Sequence, residues 1–155
     1  MKQRTIGLVL LLLLSLSSFS SLAADSDRKH VVLDQSARRS AFPFSDAVLV
    51  GNTLYIAGTV GFDPASGKPP AGAEQEARLA MDGVEQVLQS QGMATDDLVS
   101  VQVFCTDFNL YDKFNGIYRT YFHDRFPARA FLGVATLIRG ARFEVTGIAV
   151  KRMRQ

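Results

Sequence analysis

FPARAFLGVATLIRGARFEVTGIAV, residues 126–150, predicts two strands, about 129–137 and 143–150, each carrying one charge: Arg129 at the entry of the first, Glu144 in the second. Apolar residues occupy both parities of AFLGVATLI and FEVTGIAV, the pattern of strands covered on both faces. A lone charge in such a setting costs several kcal/mol unless it is paired or serves a ligand. Two readings of Arg129 therefore stay open. Its planar fork pairs with Glu144 or Asp107 as a structural ion pair, or it grips the carboxylate of a ligand.

Upstream, Asn109 is a candidate cap for a second helix with Tyr111, Phe114, Tyr118, Tyr121 and Phe122 along one side, ended by Pro127. Before it, VSVQVFCT predicts a strand near 98–106 in which Val99, Val101, Val103 and Cys105 share one parity. Cys105 is the single cysteine, which excludes an intramolecular disulfide, and it reads as a small buried hydrophobe. Residues 73–91 change period: Ala77, Ala80, Met81, Val84, Val87 and Leu88 form one helical stripe, stopped by Gly92. DPASGKPPAG holds three of the five prolines and must be a loop. Ala47–Val50 and Thr53–Ala57 flank Gly51-Asn52, a pair suited to a tight hairpin.

The resulting order is ββαβαββ, an α+β fold: a mixed or antiparallel sheet of five or six strands with two helices on one face. Two helices leave the other face open, and association with further copies is the simplest way to cover it. Residues 25–42 form a polar lead-in with room for one short edge strand at VVL, 31–33, and the folded domain is expected over 43–155. Residues 1–24 combine Lys2 and Arg4, an apolar run from Ile6 to about Leu16 and a small-residue end, the three parts of a secretory signal peptide. A periplasmic or secreted chain, free of the membrane after cleavage, is the expectation.

The net charge of +2 comes from 17 Lys+Arg against 15 Asp+Glu. The signal segment holds two of the bases and no acid, so a processed chain is neutral. Only KRMR, 151–154, remains as a basic run, read as a solubilising tail, and nucleic-acid binding is disfavoured. Histidines at 30 and 123 make no metal-ligand spacing with cysteine or carboxylates, so no metal is expected. G-x-S-x-G, P-loop and G-x-G-x-x-G motifs are absent, and no cofactor is expected.

Five stretches, FPFSDAV, LYIAGTVGFDPASG, FCTDFNLYDKFNGIY, FPAR and FEVTGIAV, occur in an order and spacing that resemble the Rid (reactive intermediate deaminase) family, also called the YjgF family and labelled endoribonuclease L-PSP. The resemblance spans about residues 42–152. It implies a chorismate-mutase-like ββαβαββ fold assembled as a homotrimer with a pocket at each interface. The implied activity is hydrolysis of enamines and imines, typically 2-imino acids, to 2-keto acids and ammonia. By the same resemblance Arg129 holds the substrate carboxylate, Glu144 places or activates water, Asn115 stands near the pocket, and Phe44 and Phe131 line it.

The chain also departs from the family pattern. Phe44 stands where a tyrosine is common, Ala57-Gly58-Thr59 where an S-G-Q motif is common, and Phe131 where a small residue or cysteine is common. Two hydroxyls are lost and some space is filled. The competing class is a carboxylate-binding or chaperone-like module without turnover. RNA cleavage would need a basic groove or stacking platform that a neutral chain lacks.

Overall fold

The computed structural model describes residues 28–34 and 42–152. The expected signal segment and most of the lead-in lie outside the described residues. Six strands are present: β1 (Arg28–Val31), β2 (Ala47–Val50), β3 (Thr53–Val60), β4 (Leu98–Cys105), β5 (Ala128–Gly133) and β6 (Phe143–Val150). Two α-helices join them, α1 (Ala73–Ser90) and α2 (Tyr111–Tyr118). They form one sheet in the order β1-β2-β3-β6-β4-β5. Every pairing is antiparallel except β4 with β5, whose connection runs through α2. The expected α+β sheet with two helices is present, with the short edge strand added in front.

That edge strand starts earlier than VVL. The ladder ends at Val31, and Leu33 N–H instead donates to Asp46 Oδ2 (2.8 Å), which turns the chain away from the sheet. The β2–β3 hairpin uses the two-residue loop, with only Gly51 at positive φ (58°), a conformation that favours glycine at the first loop position. Helix α1 buries Ala77, Ala80, Met81, Val84, Val87 and Leu88 against the sheet, as the stripe predicts.

Four local readings are corrected. A register shift between Leu98 and Ser100 turns Leu98 inward and leaves Val99 47% exposed, so Val99 does not share the buried parity of Val101, Val103 and Cys105. Asp107, not Asn109, caps the turn before α2, because its Oδ1 accepts the Asn109 N–H (2.9 Å). Helix α2 gives way to a 3-10 turn at Arg119–Tyr121, well before Pro127. Strand β5 stops at Gly133 rather than 137: Val134 N–H still reaches Cys105 O (2.9 Å), and a 3-10 turn at Ile138–Gly140 follows.

Both helices cover the face that carries Leu54, Ile56, Val101, Val103, Val145 and Ala149. Tyr55, 49% exposed, and Leu132 stand on the opposite, uncovered face with Gln102, Thr146 and Ile148. The basic end of the chain is also tied down. Lys151 N–H donates to Asn52 O (2.8 Å) and Arg152 pairs with Asp97 (3.3 Å), so these two residues are not a loose tail.

Candidate functional site

Strand alternation decides where the two charges point. Arg129 is in register with Val101, whose side chain is buried under the helices, so Arg129 rises on the helix-covered face at the edge strand β5. Its guanidinium carbon lies 4.6 Å from the centre of the Tyr118 ring, 5.7 Å from Phe131 and 5.9 Å from Tyr111. Among the described residues no carboxylate comes within ion-pair distance of it. The structural ion pair with Glu144 or Asp107 is therefore not formed. Cation–π contact supplies about 0.5–2 kcal/mol and engages the faces of the rings, leaving in-plane N–H donors for a further acceptor.

A cleft of about 210 Å³ adjoins the guanidinium, lined by Asn115, Tyr118, Arg119, Phe126, Pro127 and Arg129. Phe131 does not line this cleft. It packs behind the guanidinium, against Tyr111 (4.9 Å, edge-on), Phe114 (5.6 Å) and Phe108 (5.9 Å). Pro127 and the parallel pairing of β5 fix the strand entry, and α2 brings Asn115 and Tyr118 above it. Burial pushes the Tyr118 phenol up to about 12, with the charge of Arg129 acting weakly in the other direction.

Glu144 lies between fully buried Phe143 and Val145 and so points to the other, uncovered face. Its strand neighbours are Val60 on β3 and Phe104 on β4. Strand β3 bulges between Ile56 and Thr59, and the Glu144 carboxylate fills the space over Gly58: a Cβ built there would overlap Glu144 Oε1. On its other edge β3 keeps the β2 ladder one step beyond Ile56, with Ala57 N–H donating to Asp46 O (3.0 Å). Phe44, 56% exposed, lines a cleft of about 370 Å³ with Ala57 and Gly58 of the bulge and Gly83, Gln86 and Val87 of α1, and Glu144 is not part of its wall.

The named residues thus fall into two groups. Arg129, Asn115 and Phe131 stand on the helix face near β5; Glu144, Gly58, Ala57 and Phe44 gather at the β3 bulge. Strand β4 separates their two strands, and the two charges project from opposite faces of the sheet.

Sequence reasoning missed a third charged group. Glu76, in the first turn of α1, is fully buried and accepts from Arg142 N–H (2.5 Å), Arg142 Nε (2.5 Å) and Phe143 N–H (3.1 Å). Arg142 also donates to Ala71 O (2.9 Å) and to Pro70 O. The pair clamps the proline loop and α1 to the start of β6, one residue before Glu144. An acid at the first turn of a predicted helix was the available signal. Cys105 sits in the core as expected, its thiol pushed up by burial while Sγ–H donates to Asp107 O (3.1 Å).

Known proteins of the same shape and sequence pattern resolve the class. The family model described as endoribonuclease L-PSP matches residues 35–151. The chain belongs to that family. A mouse 2-iminobutanoate/2-iminopropanoate deaminase is 39% identical over 124 residues, covering 79% of this chain and 92% of the relative. The goat protein of the same description is 37% identical over 124 residues, 79% and 90% of the two chains. Among solved family members, RidA from the Antarctic bacterium Psychrobacter sp. superposes with TM-score 0.68 at 30% identity, covering 72% of this chain and 90% of that one. E. coli TdcF with bound serine superposes with TM-score 0.72 at 27% identity, covering 80% and 100%.

Proposed function

We propose that the protein is an exported deaminase that hydrolyses 2-imino acids to 2-keto acids and ammonia, at sites formed between copies of the chain in a homotrimer. The observation that carries this reading is Arg129: a guanidinium held in place by three rings, with no carboxylate of its own among the described residues, beside an open cleft. The deaminase relatives and the amino acid bound to TdcF, which bears a carboxylate and a nitrogen on one carbon, support the substrate class. Because Arg129 and Glu144 leave the sheet on opposite faces, the reading requires Glu144 from a second copy to meet the Arg129 cleft.

In this scheme the Arg129 fork holds the substrate carboxylate and Asn115 borders the same cleft. Water adds to the iminium carbon while Glu144 takes its proton. That proton returns to nitrogen, and Glu144 then takes the carbinolamine hydroxyl proton as the C–N bond breaks, so that ammonia leaves and the keto acid remains. The chemistry needs no covalent enzyme intermediate. Decay of 2-iminopropanoate, made in place by an amino-acid oxidase, tests the proposal: acceleration by the protein that disappears in Arg129→Ala and in Glu144→Gln is expected, and no acceleration by the unmodified chain overturns it. Export rests on residues 1–24 and is checked by an N-terminus that begins near Ala24 or Asp25.

A second reading, a carboxylate binder without turnover, draws on Phe44 and Ala57. Neither brings a hydroxyl to the Glu144 group, and loss of one well-placed donor lowers rates by roughly two to three orders of magnitude. Keto-acid binding without ammonia release would favour it.

A further inference from the structure

Tyr118 carries a polar group that the fold does not use. The residue is 3% exposed, and its ring packs on Phe122 (4.8 Å), Phe114 (5.9 Å) and Phe126 (6.2 Å). Its hydroxyl is buried with no hydrogen-bond partner among the described residues. A phenylalanine would make the same ring contacts without enclosing an unsatisfied hydroxyl, so the hydroxyl is a burden in the chain by itself. The residue also lines the Arg129 cleft, and the guanidinium lies on its ring.

We propose that the Tyr118 hydroxyl is a ligand-binding donor that gives a hydrogen bond to a carboxylate oxygen of the 2-oxo or 2-imino acid held by Arg129. The proposal rests on the carboxylate-binding reading of Arg129. An ionised carboxylate accepts at about four lone-pair sites and the arginine fork fills two, so a third donor has a place. Burial keeps the phenol protonated across the physiological range, and a neutral donor adds a bond without repelling the guanidinium. A cleft of about 210 Å³ suits a short acid rather than a large one. Phe126, 55% exposed and stacked on Tyr118, is the ring that moves aside to admit the ligand.

Calorimetric titration of the full chain with 2-oxobutanoate tests this, using the unmodified protein, Tyr118→Phe and Arg129→Ala, with melting temperature and solution mass recorded for each. Tyr118→Phe is expected to keep its mass and to melt no lower than the unmodified protein while binding about tenfold more weakly. Unchanged affinity in Tyr118→Phe, with binding abolished in Arg129→Ala, overturns the Tyr118 proposal alone. A lower melting temperature or mass at unchanged affinity also overturns it, because the hydroxyl then bonds a neighbouring copy. No binding by the unmodified protein overturns the Arg129 reading and this inference together.

Discussion

Arg129 and Arg142 lie thirteen residues apart and meet opposite fates. Arg142 spends its donors inside the chain, on the buried Glu76 carboxylate and on two loop carbonyls. Arg129 meets only ring faces among the described residues, and its fork faces a cleft. The first arrangement satisfies every charge locally and is what a structural ion pair looks like. The second leaves a charge whose partner must come from elsewhere. A half-buried charge that the fold has not satisfied is therefore better evidence of a site than charge alone.

The comparison breaks first at Arg129→Ala. Imine hydrolysis should fall at least a hundredfold in kcat/KM, about 3 kcal/mol, while urea unfolding shifts by no more than about 1 kcal/mol. A large stability loss with intact activity would make Arg129 structural after all. Arg142→Ala should do the reverse in kind. Stranding the buried Glu76 carboxylate costs about 3 kcal/mol of stability, seen as a lower urea midpoint at unchanged slope.

Gly58→Ala sharpens the account of Glu144. The new Cβ must push the carboxylate out of its seat, and a fall of roughly tenfold in kcat with KM nearly unchanged is expected in steady-state kinetics. The smallest effect belongs to a pair remote from both groups. Partial burial of Asp96 opposes ionisation, but hydrogen bonds and charge from His123, with Arg152 beyond, outweigh it and hold the carboxyl below its usual value of 3.8. Because the folded value is the lower one, this carboxylate stabilises the protein above the unfolded value and the contribution disappears as pH falls through the folded one. The melting-temperature gap between the unmodified protein and Asp96→Asn should thus narrow as pH falls below the ordinary value of 3.8, amounting to under about 1 kcal/mol.

Much of the fold was legible because apolar spacing is a local signal. The α1 stripe follows from it, and the β2–β3 hairpin from two apolar runs around Gly51-Asn52, whereas β6, apolar at both parities in the sequence, alternates between buried and half-buried in the fold. Register is different, since it depends on strands not yet paired. The slip at Val99 and the bulge at Ala57-Gly58 are invisible in the chain, and both alter which side chains share a face. Glu76 and Arg142 are 66 residues apart, and nothing in either local pattern announces the partner. Arg129 and Glu144 could be singled out as lone charges in apolar strands. That they leave opposite faces emerged only from the pairing of β5 with β4 and of β6 with its neighbours.

The two borders of the sheet show how such a chain avoids sticking to itself in the wrong way. On one side β1 presents exposed Arg28, Lys29 and His30 in succession. On the other β5 is six residues long and is preceded by Pro127, which has no N–H to offer an incoming strand. Both borders are thereby discouraged from extending the ladder into open-ended fibrils. The homotrimer proposed above would use instead the uncovered face between the borders, where a closed ring stops growth.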